Sequence, residues 1–176
     1  CNVETEHVIE SPDVDTIYEI PLVLNQQNFD NIIVDKLGLT AGNHQESLHI
    51  LESSIGRFKN PKHSVTIAIC GKYNGLHDAY KSIIEAFIHA GIENDARVNV
   101  KWVDTEKLEL TGDVEGSFQN VDGILIPGGF GDRGIDGKIM ASRYARKNDN
   151  PFLILGPPAG PTIIPLFYRT SSTSHF

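Results

Sequence analysis

The feature that most constrains this chain is a change of rhythm at Val65, after which short apolar runs alternate with segments of helical period. Val65-Thr66-Ile67-Ala68-Ile69-Cys70 has the length and composition of a buried strand. Asp78 is then placed to cap a helix carrying Tyr80, Ile83, Ile84, Phe87 and Ile88 on one side, with Gly91 as its stop. Val98, Val100 and Trp102 alternate with polar residues, the pattern of a half-buried strand. Gly123-Ile124-Leu125-Ile126 is another short apolar strand, a helix through Met140, Tyr144 and Ala145 follows, and Phe152-Leu153-Ile154-Leu155 is a last strand. Strands separated by helices run parallel, so we expect an α/β fold with an open, mostly parallel sheet. The tail from Pro157, with Pro158, Pro161, Pro165 and then Ser171-Ser172-Thr173-Ser174, lacks the helical pattern that covers such a sheet, and the sheet is expected to be incomplete.

The residues before Val65 read as helices without strands. Ser11-Pro12-Asp13 has the order of a helix start: a cap acceptor, a proline pre-set at the first helical position and an acid near the positive end of the dipole. Pro21 is suited to begin a second short helix. Phe29, Ile32, Ile33, Lys36 and Leu37 share a helical face that Gly38 ends. After the polar stretch Thr40 to Gln45, the spacing of Leu48, Leu51, Ile55 and Phe58 predicts one amphipathic connector helix, broken at Asn60-Pro61. A domain boundary is expected near Pro61.

Composition narrows the function classes. Of 176 residues, 40% are hydrophobic and 22% charged, a balance able to bury a core. The formal charge of −8 carries no basic stripe or cluster, which argues against nucleic acid and anionic membrane surfaces as partners. No apolar run is long enough to span a bilayer, and Cys1-Asn2-Val3-Glu4 has neither the basic start nor the apolar stretch of a signal peptide, so a cytoplasmic location is expected. The two cysteines, Cys1 and Cys70, are too few for a disulfide framework, and Cys70 reads as a reduced, buried thiol. The seven histidines are scattered without metal-ligand spacing, and no metal site is expected from them.

Chemistry concentrates in Ile126-Pro127-Gly128-Gly129-Phe130-Gly131-Asp132-Arg133-Gly134. The segment leaves a buried strand at its carboxyl end, where open α/β sheets place ligands, and its glycines allow backbone N–H groups to aim at a developing negative oxygen. A tight turn selected for geometry alone is the other reading of the same residues.

Four segments carry a resemblance that covers residues 1 to about 153. Asp13-Val14-Asp15-Thr16-Ile17-Tyr18-Glu19-Ile20-Pro21, Gly71-Lys72-Tyr73, Asp78-Ala79-Tyr80-Lys81-Ser82, and Asp122-Gly123 through Gly131 resemble segments of the CTP synthases, in that family's order. The resemblance implies a two-part enzyme. A synthetase domain activates UTP with ATP and Mg²⁺, and a class I glutamine amidotransferase domain of flavodoxin-like fold releases ammonia from glutamine, with GTP as effector and a homo-tetramer as the assembled state. It further implies four stretches here: residues 1–39 as C-terminal helices of the synthetase domain, 40–63 as a linker with its amphipathic helix, 64–155 as part of the amidotransferase domain, and 156–176 as a tail outside the family. Pro12, Asp13 and Val14 then stand where the family contacts ATP through its backbone, a helix cap without ligand being the alternative. Gly128 and Gly129 stand as oxyanion-hole and glutamine-binding glycines, with Phe130 beside the substrate. Arg133 and Gly134 fall in a lid loop. Lys81 and Glu85 match helix positions that couple GTP to glutamine hydrolysis, although a solvated helix face explains both charges as well.

One departure bears on activity. After Pro151-Phe152-Leu153 the family continues into a Gly-Ile-Cys-Leu-Gly nucleophile elbow, whereas this chain reads Ile154-Leu155-Gly156-Pro157-Pro158, with Gly156 at the nucleophile's position. The two prolines disfavour the helix that follows such an elbow. The histidine and glutamate that activate the thiol are expected downstream of Phe176, and His175 has no acid after it to orient it. The family's phosphate loop, Mg²⁺ carboxylates and UTP-binding residues are expected upstream of Cys1. Gly71-Lys72 is no substitute loop, because Thr66 stands at the first glycine's place and Tyr73 at that of the metal-binding hydroxyl. The expectation is therefore a CTP synthase stretch, inactive alone in glutamine hydrolysis. The alternative is a non-catalytic interaction or regulatory module that joins CTP synthase oligomers, and a half-built sheet that misfolds is a third outcome.

Overall fold

A computed structural model describes residues 3–40, 42, 45–72, 77–128 and 133–155 of the chain. The chain divides into two compact units, Cys1–Pro61 and Lys62–Phe176.

In the first unit the expected helix start at Ser11-Pro12-Asp13 is not found; residues 8–14 have no regular structure. The reason is a contact distant in sequence. The Glu10 N–H donates to Gln27 Oε1 at 2.7 Å, and Gln27 Nε2 donates to the Glu10 carbonyl at 2.8 Å. This two-way pairing imitates a rung of a β-ladder and ties the chain down just ahead of Pro12. Thr16, itself extended, turns the chain into a 3-10 turn at Ile17–Glu19. Helix α1 (Ile20–Gln26) then carries Pro21 in its first turn, as expected. Helix α2 (Phe29–Leu37) ends on Gly38 at φ 63°, the left-handed conformation that glycine adopts without a Cβ penalty. Helix α3 (Gln45–Lys59) buries Ile55 and half-buries Leu48, Leu51 and Phe58, the stripe read from the sequence. At its end Lys59 pairs with Glu19 and with Asp15, the latter at 3.0 Å. Those two hydrogen bonds, Glu19 first, raise the lysine's pKa.

The second unit is built on a sheet of order β2-β1-β3-β4, with every described pair parallel. Its strands are β1 (His63–Gly71), β2 (Ala96–Asp104), β3 (Gly123–Ile126) and β4 (Phe152–Ile154). In register, Ile69 lies opposite Trp102 and Leu125, and Leu125 opposite Leu153, so these side chains form a row on one face. Helix α4 (Lys81–Glu93) covers that row with Ile83, Ile84 and Phe87. One residue along each strand, Ala68, Cys70, Val103, Ile124 and Ile126 point to the other face. There they meet α5 (Thr105–Thr111), α6 (Val114–Phe118) and α7 (Ile135–Lys147) through Leu108, Phe118, Ala141 and Ala145. Each fully buried Leu, Ile or Phe contributes about 1.5–3 kcal/mol, which makes this two-faced sheet the main store of stability in the unit.

Two short helices, α5 and α6, escape the sequence pattern because their side-chain caps define them more than any apolar stripe. Asp104 accepts from the Glu106 and Lys107 N–H groups at 2.9 and 3.0 Å, and Asp113 accepts from Gly116 N–H at 3.0 Å. Asp122 pins the start of β3 to β1, accepting from Thr66 N–H at 2.7 Å and donating its own N–H to the Thr66 carbonyl at 2.8 Å.

Two expectations for α4 are corrected. Asp78 lies within a 3-10 turn at His77–Tyr80, and α4 starts after it without a side-chain cap. Gly91 does not end the helix, which continues to Glu93; it is buried where a Cβ would stand 2.4 Å from the Ala96 carbonyl oxygen. Its glycine serves close approach of α4 to the start of β2. Gly56 in α3 is the opposite case, with nothing within 4 Å of an added Cβ. Gly91→Ala is therefore expected to destabilise the second unit by about 1–3 kcal/mol, read by denaturation of the Trp102 fluorescence, because the obstacle is backbone. Gly56→Ala is expected to stabilise the first unit by about 0.5–1 kcal/mol in far-ultraviolet dichroism. Equal effects at the two glycines would contradict the packing described.

Candidate functional site

The connection from β1 to β2 leaves β1 toward one side of the sheet, and β3 returns to its other side. In such a sheet the crevice for a ligand opens above the carboxyl ends of the two strands where the order reverses, here β1 and β3. The residues that emerge there are Gly71 and Lys72 from β1, and Pro127 and Gly128 from β3. Pro127 is buried and Gly128 half-buried. A Cβ on Gly71 would stand 2.3 Å from Tyr80 Oη and 3.4 Å from Pro127 Cγ, so the absence of a side chain lets the Tyr80 ring close over the end of β1. Tyr80 in turn packs on Trp102, with ring centroids 5.4 Å apart.

On the opposite face α7 begins at this same edge. Gly134 is its N-terminal cap at φ 74°, buried against Thr105, and a Cβ there would lie 2.3 Å from Thr105 Oγ1. Gly137 is equally tight, its missing Cβ 2.1 Å from the Thr105 carbonyl oxygen, and its N–H donates to Glu109 Oε1 at 3.1 Å. These glycines seat the first turn of α7 directly on α5. Lys138, one residue on, donates from Nζ to the Pro127 carbonyl oxygen at 3.3 Å.

The expected site residues are placed as follows. Gly128 lies at the carboxyl end of β3, the position anticipated for it. Gly129 and Phe130 lie outside the described residues, as do Gly156 and the tail to Phe176. Arg133 is exposed, with Nη1 3.5 Å from Glu106 Oε1. Gly134 is the α7 cap. Lys81 is exposed in the first turn of α4 and Glu85 is half-buried one turn later, so both belong to the α4 face of the sheet, while Arg133 and Gly134 belong to the α7 face. In the first unit Pro12 and Asp13 are exposed and Val14 half-buried, in the irregular segment that follows Glu10. Among the described residues, Glu4, Glu6 and His7 form a group within 4.8 Å of one another that the scattered histidines did not suggest. They sit in and beside the 3-10 turn Thr5–His7, where His7 Nδ1 is 3.2 Å from Glu4 Oε2, and both acids are exposed. Lys138 escaped the sequence reading. Its signal was a cation in the first turn of a helix, where the dipole disfavours it.

Cys70, at the end of β1, is buried and free. Burial pushes its thiol up from 9.0 to about 12, against a smaller opposing pull from the Lys138 ammonium. Lys138 itself is lowered, first by burial and then by the Lys72 charge. A thiol held neutral at working pH is a packing group and no nucleophile. The folded chain keeps its Cys70 proton well above the pH at which the unfolded chain releases it, so stability is complete below the ordinary thiol pKa and falls as pH rises past it. Between about pH 8 and pH 10 the native chain is expected to lose about 1 kcal/mol that Cys70→Ala does not, measured by urea denaturation at each pH. In a Cys1→Ser background, a thiol reagent at about pH 8 is expected to modify Cys70 only after denaturant is added. Modification of the folded chain would contradict the burial.

Comparison with known proteins places the chain by sequence. The family model for glutamine amidotransferase class-I matches residues 75–154, and that for CTP synthase N-terminus matches residues 1–39. The chain is 50% identical over 153 residues to a CTP synthase of Carboxydothermus hydrogenoformans, covering 87% of this chain and 28% of the relative. It is 51% identical over 151 residues to that of Hydrogenobaculum sp., covering 86% and 27%. With the CTP synthase of Methanococcus aeolicus it shares 45% identity over 158 residues, 87% of this chain and 29% of the relative. The chain thus spans less than a third of the length of these relatives. A solved Trypanosoma brucei CTPS glutaminase domain with bound acivicin is 39% identical, covers 51% of this chain and 35% of that one, and has a TM-score of 0.47. The chain belongs to the CTP synthase family, along a stretch that joins the family's N-terminal region to its class-I glutamine amidotransferase domain.

Proposed function

We propose that this chain carries the oxyanion-binding side of a glutamine amidotransferase site without the thiol that would use it. The observation that supports this most is the position of Pro127-Gly128 directly after the buried strand β3, at the edge where the strand order reverses. In glutamine hydrolysis a thiolate attacks the side-chain amide carbon and the carbonyl oxygen becomes anionic. The N–H groups of Gly128 and Gly129 would hold that oxygen, first as ammonia leaves and again as water opens the thioester. Phe130 would pack beside the glutamine, and Arg133 and Gly134 would belong to a lid over it. Lys81 and Glu85 would pass the effect of GTP to the site.

In the whole family protein the ammonia would aminate UTP to CTP in an ATP-dependent step, within a cytoplasmic homo-tetramer. By the same reading residues 1–39 close the synthetase domain, with backbone contacts from Pro12, Asp13 and Val14 to ATP. Residues 40–63 link the domains, 64–155 begin the amidotransferase, and 156–176 lie outside the family pattern. Magnesium, which supplies charge neutralisation for phosphoryl chemistry, does not fit the group at Glu4, Glu6 and His7. A hard cation of that size takes an oxygen-only octahedral set, whereas one of these ligands is an imidazole.

Gly156 stands where the family's cysteine would be, and Cys70 is too deeply buried to replace it. The purified chain is therefore expected to release no ammonia from glutamine above background, with or without GTP. Replacing the sequence after Leu153 by a Gly-Ile-Cys-Leu-Gly elbow and the rest of an amidotransferase domain should restore hydrolysis, a difference on the order of 10⁶-fold in kcat. Ammonia from the native chain would sink this account of Gly156. The same substitution favours a non-catalytic role in which the stretch joins CTP synthase oligomers, and co-purification with a full-length family member would support that role.

A further inference from the structure

Lys138 occupies a place where an ammonium is disfavoured twice. It lies in the first turn of α7, near the positive end of the helix dipole, and it is partly buried beside the second cation Lys72. Cys70 is its other titratable neighbour, and the thiol is neutral. What the ammonium does there is donate to the Pro127 carbonyl at 3.3 Å. That carbonyl belongs to the same peptide group as the Gly128 N–H. Among the described residues every peptide is trans, and a planar trans peptide points its C=O and N–H in opposite directions. Holding the carbonyl toward Lys138 therefore holds the Gly128 N–H away from it.

We propose that Lys138 is a positioning residue that locks the Pro127–Gly128 peptide plane, so that the Gly128 N–H is turned away from α7 and kept available to an anionic oxygen. The inference rests on the reading of Gly128 as an oxyanion donor and adds the group that fixes its direction. Pro127 has no N–H of its own to anchor the peptide, and glycine at 128 leaves the following torsions soft. The seating of α7 on α5 through Gly134 and Gly137 then gains a second consequence, because it sets how far the Lys138 stem must reach.

The test uses the full chain and two readouts. In nuclear magnetic resonance, Lys138→Met is expected to shift the Pro127 carbonyl carbon and the Gly128 amide, while Lys138→Arg, which keeps a cationic donor, leaves both near their native positions. Lys101→Met serves as control, because Lys101 Nζ donates at 3.0 Å to the carbonyl of Gln119 and not of Pro127. Shifts at Pro127 and Gly128 no larger than in the control would overturn the proposal. In the chain repaired with a nucleophile elbow, Lys138→Met is expected to lower kcat on the order of 10²-fold with KM for glutamine unchanged, the signature of a misdirected transition-state donor, and Lys138→Arg to restore most of it. Shifted resonances with an unchanged kcat would leave the lysine's hold on the peptide standing and overturn instead the reading of Gly128 as an oxyanion donor.

Discussion

The parallel pairing of β1 with strands on both its sides is the constraint on which the second unit depends. Because β2 and β3 flank β1, the chain must reverse direction across the sheet between them, and that reversal opens the edge where Gly71, Lys72, Pro127 and Gly128 emerge. The same pairing buries β1 and β3 on both faces, which is why Ala68, Ile69, Cys70 and Ile124 through Ile126 are nearly all apolar and nearly all inaccessible. Stability and site are thus consequences of one arrangement. Asp122 fixes its register at the amino end, through its two hydrogen bonds with Thr66, and leaves the carboxyl end for chemistry.

Glycine carries much of the geometry at that end, for reasons of space rather than flexibility. At Gly71 a side chain would collide with Tyr80, and at Gly137 with the backbone of Thr105. Helices on both faces can therefore crowd the strand ends closely enough for Lys138 to reach the Pro127 carbonyl. The pKa shifts at Cys70 and Lys138 share the cause that makes the crowding possible, which is removal of water from the strand ends. One group responds by staying protonated and inert. The other is a donor whose position is set by its hydrogen bond.

What the sequence revealed follows from how local each signal is. The strands were legible as apolar runs bounded by turns, and α2, α3 and α7 as stripes of helical period, because burial imprints a period directly on composition. Helices α5 and α6 were not, since seven and five residues leave too short a stripe and their caps at Asp104 and Asp113 resemble ordinary turn acids. Ser11-Pro12-Asp13 was misread because its conformation depends on Gln27, and Gly91 because a stop glycine and a close-packing glycine look alike until the neighbouring strand is in place. The place of Gly128 just past the carboxyl end of β3 was legible from the apolar run before it. Lys138 was not, because its partner at Pro127 is eleven residues away and becomes a neighbour only through the βα turn.

Covalent labelling tests most directly the proposal that an oxyanion-binding edge persists here without a nucleophile. The chain would be incubated with an electrophilic glutamine analogue and its intact mass measured, with excess glutamine as competitor. The account predicts no adduct that glutamine protects against, since Gly156 offers no thiol and Cys70 holds its proton to about 12. A glutamine-protected adduct, mapped to Cys70 or to any other residue at the carboxyl ends of β1 and β3, would contradict it.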